Sequence, residues 1–220
     1  RGYAAPFGEW NSSLAKALEH HGFEYSSEFA LDYDNLSFWP ALEDRFSSVL
    51  QIPVHPISTG SLRNARHSTI QMIDYYETLI ENHCFSKLPL FFYDHPSNTN
   101  LDVLNKVFQS IRNRNIPIMT MGEYADWWKI RSCCNWTANF QDGRLSISSN
   151  ESNNLLQVII SHLNKAHSVP LAENDFSMNE IHWSPVQDTS LKHQHISVRA
   201  RLNHKMIFNE ILHAYWKYKL

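Results

Sequence analysis

Two histidines in this chain each follow a short apolar segment and precede a proline. The predicted strand at residues 50–54 runs into His55, and the predicted strand at residues 88–93 runs through Asp94 into His95. A strand delivers its last side chain to a fixed place, and proline, which has no N–H donor, stops the strand just beyond it. An imidazole titrates near neutral pH, so at the mouth of a packed sheet it can act as an acid or a base. The pattern predicts an α/β enzyme core whose strand ends share one face.

The composition argues against several classes of function. The 220 residues carry a formal net charge of -3 and no long basic run, so a nucleic-acid partner is not expected. No apolar run is long enough to cross a bilayer, so no transmembrane segment is predicted. The three cysteines give neither a disulfide framework nor a zinc-ligand spacing. Aromatic residues make up 13% of the chain, which suits sugar stacking but, for any single residue, favours a core position.

Up to residue 132 the chain alternates predicted strands and helices. Asn11 is expected to cap a first helix that ends at Gly22. Further helices are predicted at residues 62–81, 101–112 and 122–131, and strands at residues 23–27, 50–54, 88–93 and 116–120. Strand–helix alternation favours a parallel sheet or barrel, so we predict an α/β fold for residues 1–132.

From residue 133 onward the helical period fades and short strands are predicted. Asp142-Gly143 lies between two alternating segments and is a strong hairpin signal. Additional strands are expected at residues 155–162, 180–183, 195–202 and 210–218. Short strands at this spacing predict a small antiparallel β-sandwich at residues 133–220.

Other titratable residues have weaker claims to a function. Asp32 and Asp34 form an acidic pair that could orient a histidine or bind a metal, although a solvated turn is the favoured interpretation. His67 is expected on a helix surface. The histidine pairs at residues 20–21 and at 193 and 195 have no acidic cluster at a metal-like spacing, so no metal ligands are assigned to them.

The segment Ala5-Pro6-Phe7-Gly8 resembles the third motif of the polysaccharide deacetylases of carbohydrate esterase type, the family related to chitooligosaccharide and peptidoglycan deacetylases. In that family an Arg-x-Pro-aromatic-Gly stretch ends a barrel strand and lines the substrate groove. His95 falls where the fifth motif supplies its leaving-group histidine, and residues 32–39 are loosely similar to the fourth motif. The order of these segments and the ending at residues 119–128 are also similar to family members, so the resemblance covers residues 1–131.

The resemblance implies that residues 1–132 are the C-terminal part of a deacetylase-type (β/α) barrel, followed by a β-sandwich accessory domain at residues 133–220. It implies removal of N-acetyl groups from a polysaccharide or oligosaccharide. In that mechanism a divalent metal, with zinc the first candidate, polarises the acetyl carbonyl and activates water. An aspartate takes the water proton, and the histidine protonates the departing amine. A cell-envelope or extracellular location follows by analogy with the family's usual substrates.

The same comparison assigns the candidate site residues. His95 is the catalytic candidate, and the substrate-binding candidates are Pro6, Phe7, Gly8, His55 and Asp94. His55 has no counterpart among the family motifs and is assigned only as a groove residue.

Two departures from the family pattern limit these expectations. Ala4 stands where the family has the motif arginine, and the first two motifs, an Asp-Asp pair and a His-x-x-x-His pair, are absent. This chain therefore supplies no ligand set for the metal, and we expect a missing N-terminal segment or a partner chain to complete the barrel. The alternative is a catalytically inactive carbohydrate-binding protein with a deacetylase-like fold. A third possibility is that the β-sandwich is an interaction module and the barrel portion its scaffold.

Overall fold

Three short parallel strands begin the fold and pair in the order β1-β2-β3. They are β1 (Gly2–Tyr3), β2 (Tyr25–Ser26) and β3 (Leu50–Gln51). The structure is a computed structural model that describes residues 1–28, 31–96, 100–149, 153–171 and 174–185. These residues divide into two compact units, one up to Gly122 and the other from Glu123 onward. The fold is mixed α/β, as predicted, with a parallel sheet in the first unit and small antiparallel sheets in the second.

The parallel arrangement continues beyond β3 through a bridge between His55 and Phe92. The N–H of Ile52 donates to the carbonyl of Ser26 in β2 at 2.9 Å, whereas the N–H of His55 donates to the carbonyl of Phe91 at 2.6 Å. Ile52 and His55 belong to one segment, and their N–H groups point to opposite sides of it. Each side of a strand can pair with a different neighbour in the sheet. The segment before His95 therefore lies on the side of β3 away from β2.

Helices follow most of these strands. They are α1 (Ser12–His20), α2 (Thr59–Asn64), α3 (Thr69–Ser86), α4 (Leu101–Asn113) and α5 (Met121–Cys133). The Asn11 side chain accepts a hydrogen bond from the N–H of Leu14 at 2.8 Å, which confirms the predicted cap of α1. The predicted helices at residues 101–112 and 122–131 are confirmed as α4 and α5. No helix in the described part of the chain combines the length and apolar character needed to span a membrane.

The single helix predicted at residues 62–81 is wrong, because two helices occupy this region. The break lies between α2 and α3, where Arg66 adopts a left-handed conformation with φ of 64°. Ser68 then starts α3 with a capping box, in which its side chain accepts from the N–H of Gln71 and the Gln71 side chain accepts from the N–H of Ser68. This Ser-x-x-Gln pattern is visible in the sequence and gives the second helix its own start.

The strand predicted at residues 116–120 is also wrong. These residues pair with no neighbouring strand, and Ile118 is 55% exposed. Pro117 removes one of the N–H donors that a ladder would use. An apolar segment forms a strand only when another strand satisfies its backbone, and no such partner lies beside it among the residues described.

The core of the first unit packs α3 and α4 against the segment that precedes His95. Its buried members, listed in chain order, are Leu62, Met72, Tyr76, Leu79, Ile80, Val103, Val107 and Ile111. Leu90 and Phe92 pack against this cluster, and the ring of Phe92 lies 5.8 Å from that of Tyr76 and 6.1 Å from that of Phe108. The helices therefore fix Phe92, three residues before His95.

The second unit contains two three-stranded antiparallel sheets in the orders β4-β5-β8 and β6-β7-β9. The strands are β4 (Trp136–Gln141), β5 (Arg144–Ser149), β6 (Asn153–His162), β7 (Lys165–Leu171), β8 (Asn174–Ser177) and β9 (Ser184–Pro185). Asp142 and Gly143 join β4 to β5 with φ of 52° and 74°, which confirms the predicted hairpin. Ile147 from one sheet and Leu156, Val169 and Leu171 from the other share a buried cluster.

The remaining strand predictions for this unit have mixed outcomes. The strand predicted at residues 155–162 is confirmed as part of β6, but residues 180–183 form the end of a 3-10 turn and an unpaired segment. Strands β7 and β8 were not predicted. β7 contains Pro170 and β8 is mostly polar, so neither shows a regular apolar alternation. The strands predicted at residues 195–202 and 210–218 lie outside the described residues.

Matched leucine substitutions test this description of the core. Leu79 in α3 is 4% exposed, and Leu101 in α4 is 69% exposed. Leu79→Ala should lower the free energy of unfolding by about 2–5 kcal/mol, because it removes buried methyl groups and leaves a cavity. Leu101→Ala should change it by no more than about 0.5 kcal/mol. Urea denaturation followed by far-ultraviolet circular dichroism measures both, and similar losses would contradict the assigned core.

Candidate functional site

Four segments leave the parallel strands at the same edge of the sheet. The turn Ala5–Gly8 follows β1, Glu28 follows β2, His55 follows β3, and Asp94–His95 follows the bridge at Phe92. Parallel strands present their carboxyl ends at a common edge, which is where ligands bind in open α/β sheets. The edge collects all six predicted site residues, together with Glu28, which was not predicted.

The turn after β1 holds an aromatic side chain in an exposed position. Pro6–Gly8 form a 3-10 turn closed by a hydrogen bond of 3.1 Å from the N–H of Gly8 to the carbonyl of Ala5. Phe7 and Gly8 are both left-handed, with φ of 63° and 64°. Phe7 is 69% exposed. The left-handed conformation costs a non-glycine residue about 1–2 kcal/mol, so the surrounding contacts must hold Phe7 in it.

Glu28 is a fully buried acid next to this turn. One carboxyl oxygen, Oε1, accepts from the N–H of Ala5 at 3.1 Å, and Oε2 accepts from the Ser26 hydroxyl at 2.8 Å. The Gln51 amide donates to the backbone carbonyl of Glu28 at 3.3 Å. Burial raises the pKa of Glu28, and its hydrogen bonds to Ser26, Gln51 and Ala5 oppose that rise. The carboxyl therefore joins the ends of β1, β2 and β3.

His55 is buried and contacts a carboxylate and a phenol. Its Nδ1 lies 2.8 Å and 2.7 Å from the two carboxylate oxygens of Asp34, and its Nε2 lies 2.7 Å from the hydroxyl of Tyr75. Burial, and then the charge of Asp34, raises the pKa of Tyr75, so this hydroxyl keeps its proton. Tyr75 can then donate to Nε2 while the N–H at Nδ1 donates to Asp34. The predicted groove residue His55 is thus a buried, doubly hydrogen-bonded imidazole.

Asp34 also lies close to a second buried imidazole. The Nε2 of His83 is 3.7 Å from the Asp34 carboxylate, and its Nδ1 is 2.9 Å from the carbonyl of Pro89. Burial lowers the pKa of His83, and the charge of Asp34 opposes this shift. Asp34 itself is left-handed, with φ of 54°. The favoured interpretation of this acidic residue as part of a solvated turn is therefore wrong, and the interpretation that it orients a histidine is correct.

Asp94 connects Thr59, at the start of α2, to its own neighbour His95. Its carboxylate accepts a hydrogen bond from the hydroxyl of Thr59 and another, at 2.9 Å, from the backbone N–H of His95. The Thr59 hydroxyl in turn accepts from the N–H of Asn100, the cap of α4, at 3.3 Å. The His95 ring packs edge to face on Tyr93, with 5.5 Å between centroids, and remains exposed. Asp94 therefore fixes the backbone of His95.

The edge does not fit the divalent metal that the family resemblance implies. Among the residues that the structure describes, no three His, Cys, Asp or Glu side chains are grouped so that they could hold a metal ion. Asp34 and His55 contact each other through the atoms that a ligand would use, and the second nitrogen of His55 is taken by Tyr75. The described residues of this edge therefore do not by themselves form a ligand set for that metal.

Comparisons of this chain with protein-family models, with curated proteins and with solved structures gave no match. The resemblance to the deacetylases therefore depends on the motif residues of the sequence alone.

The sequence interpretation missed several residues of this edge, among them Glu28, Thr59, Tyr75 and His83. A signal existed for His83, because it continues the buried face of α3 that includes Met72, Tyr76 and Leu79, at helical spacing. Glu28 is a single acid just after β2 and is followed by three apolar residues. This pattern does not distinguish a buried carboxyl with hydrogen-bond partners from an exposed one. Nothing in the sequence pairs Tyr75 with His55.

Substitution of the two turn aspartates tests the pair between Asp34 and His55. Asp34→Asn should lower the free energy of unfolding by about 1–2 kcal/mol, because it replaces a charge-assisted hydrogen bond to a buried imidazole with a neutral one. Asp32→Asn is the matched control. Asp32 accepts from the N–H of Tyr33 and from the amide of Asn35 in an exposed turn, and an amide can replace it at a cost within about 0.5 kcal/mol. Equal losses in urea denaturation would contradict a special role for Asp34.

The pH dependence of stability tests the burial of Glu28. The folded protein holds the proton of Glu28 to a higher pH than the unfolded chain, whose carboxyl titrates near 4.5, because burial raises the pKa of this group. The resulting stabilisation is complete below the unfolded pKa and is lost as the pH rises through the folded pKa. Glu28→Gln should therefore remove part of the fall in unfolding free energy as the pH rises above 4.5.

His83 acts in the opposite direction, since its lowered pKa costs the folded protein stability as the pH falls below 6.5. This contribution is common to both proteins and cancels when their urea-denaturation profiles are subtracted. Parallel profiles for the wild type and Glu28→Gln would show that Glu28 does not titrate as a buried acid.

Proposed function

We propose that this chain belongs to a polysaccharide deacetylase-like hydrolase that removes N-acetyl groups from a glycan. Residues 1–132 would be the C-terminal part of its (β/α) barrel, and residues 133–220 a β-sandwich accessory domain. The chain would contribute the glycan-binding edge and the group that protonates the departing amine.

One observation carries the proposal. The turn that resembles the third family motif follows β1, and the histidine that resembles the fifth follows the isolated bridge at Phe92, so both leave the parallel arrangement at one edge. Residues from distant parts of the sequence are thereby available to one ligand.

The described contacts suit His95 for proton donation. Its ring is exposed, whereas its backbone is held by Asp94, which Thr59 fixes in turn. A proton donor needs access to the leaving group together with a fixed position. The buried His55 lacks that access, so in this proposal it orders the edge through Asp34 and Tyr75 and contacts substrate only if the edge rearranges.

The exposed ring of Phe7 suits the binding of a sugar. The faces of pyranose rings carry C–H groups, which pack against aromatic surfaces, and the left-handed turn holds Phe7 outward. Pro6 and Gly8 give the turn its shape, and Asp94 offers carboxylate oxygens near His95. The substrate would be an N-acetylated polysaccharide or oligosaccharide.

The metal and the catalytic base of the family mechanism would come from elsewhere. Ala4 replaces the family's motif arginine, and the described residues provide no metal ligand set. Another segment of the gene product or a partner chain would supply them and complete the barrel. The same two observations favour the second candidate function, a carbohydrate-binding protein that has the edge but does not hydrolyse.

Substitution of His95 in the complete gene product tests the proposal. The gene product should release acetate and a free amine from an N-acetylated chitooligosaccharide, and His95→Ala should lower kcat by about 10²–10⁴-fold with little change in KM, because only the amine departure loses its acid. Added imidazole should restore part of the rate. His20→Ala, an exposed histidine at the end of α1, is the matched control and should leave the rate unchanged.

The outcomes separate the two candidate functions. Binding of the oligosaccharide without acetate release favours the carbohydrate-binding protein. Acetate release that is insensitive to His95→Ala would refute the role of His95 as the proton donor. A gene product that neither binds nor hydrolyses the oligosaccharide would refute both candidate functions.

A further inference from the structure

The turn Ala5–Gly8 presents an exposed Phe7 and is conformationally strained, so its position needs an explanation. Phe7 and Gly8 are consecutive left-handed residues, and only Gly8 adopts that conformation without cost. The hydrogen bonds inside the turn, from Gly8 to Ala5 and from Glu9 to Pro6, close it locally but do not attach it to the sheet.

Glu28 makes the attachment to the next strand. Its Oε1 accepts from the N–H of Ala5, the residue at which the turn begins, and its Oε2 accepts from Ser26 in β2. The Ser26 hydroxyl also lies 3.3 Å from the side-chain oxygen of Gln51 in β3. Because Glu28, Ser26 and Gln51 are each no more than 2% exposed, water does not compete for these bonds.

We propose that Glu28 is a positioning residue for glycan binding, which holds the Ala5–Gly8 turn and thus sets where Phe7 meets the sugar. This inference rests on the proposed function, in which Phe7 stacks on an N-acetylated glycan. Glu28 is fully buried, so it acts through the backbone of Ala5.

The chemistry of the carboxyl explains why this position suits an acid. Two oxygens on one short side chain meet donors from two different strand ends, and neither oxygen needs to be charged to accept. Glutamine keeps one carbonyl oxygen for Ala5, and its amide can donate to the Ser26 hydroxyl, so it preserves both contacts. Methionine has a similar length but no comparable acceptor, so the N–H of the half-buried Ala5 would lose its partner in Glu28.

Hydrogen–deuterium exchange with Glu28→Met and Glu28→Gln tests the positioning directly. Glu28→Met should speed exchange of the backbone N–H groups of Ala5 and Gly8 about tenfold or more, because the turn opens more often. Glu28→Gln should leave the exchange within about twofold of the wild type. Leu79→Ala, which destabilises the same unit away from the turn, is the matched control for a general loss of stability.

Binding of chitotetraose, measured by calorimetry on the same variants, tests the consequence for the ligand. Glu28→Met should weaken binding about fivefold to tenfold, whereas Glu28→Gln and Leu79→Ala should retain the wild-type affinity within about twofold. Phe7→Ala should weaken binding at least as much as Glu28→Met, because it removes the side chain that the turn presents.

The two measurements distinguish the possible failures. Unchanged exchange at Ala5 and Gly8 in Glu28→Met would overturn the positioning role, whatever the affinity does. Faster exchange with no chitotetraose binding by the wild type would support the attachment but refute the proposed glycan function. Equal loss of binding in Glu28→Met and Leu79→Ala would show that Glu28 affects binding only through the stability of the unit, which would overturn its role as a positioning residue. If Glu28→Met does not fold, Ser26→Ala should speed the same exchange about threefold, and no effect would overturn the proposal.

Discussion

Parallel pairing of short strands is the constraint on which the arrangement of this protein's polar residues depends. β1, β2 and β3 are only two residues each, yet their pairing and the bridge from His55 to Phe92 bring four separate segments to one edge. Strands this short contribute few backbone hydrogen bonds. Side chains at the strand ends must therefore help to hold the edge together, and Glu28 and Asp94 accept backbone N–H groups there.

The polar groups of the edge follow a single physical requirement. A buried donor or acceptor is costly unless it has a partner, so each buried polar residue fixes the place of another. His55 fixes Asp34 and Tyr75, whereas Thr59 fixes Asp94. This leaves Phe7 and His95 as exposed side chains on a well-supported backbone. Such a division of roles is suited to ligand binding, because the exposed groups are held in position before a ligand arrives.

The sequence predicted those parts of the structure that depend on local chemistry. The Asn11 cap and the Asp142-Gly143 hairpin are decided within a few residues, and both were predicted correctly. The segment at residues 116–120 has an apolar strand pattern, but a strand also requires a partner, which local sequence does not reveal. The contact of Glu28 with the backbone N–H of Ala5 joins residues 23 apart in the chain, and that of Tyr75 with His55 joins residues 20 apart, so no short-range pattern could have identified them.

The central claim is that the Ala5–Gly8 turn and the Asp94–His95 segment form one glycan-binding edge. Nuclear magnetic resonance of the isotope-labelled chain, titrated with chitotetraose, tests it most directly. The account predicts that the backbone amide signals of both segments shift together along one binding curve, while those of β4, in the second unit, do not move. Shifts confined to one segment, or to the exposed aromatic residues Trp136 and Phe140 of β4, would contradict it.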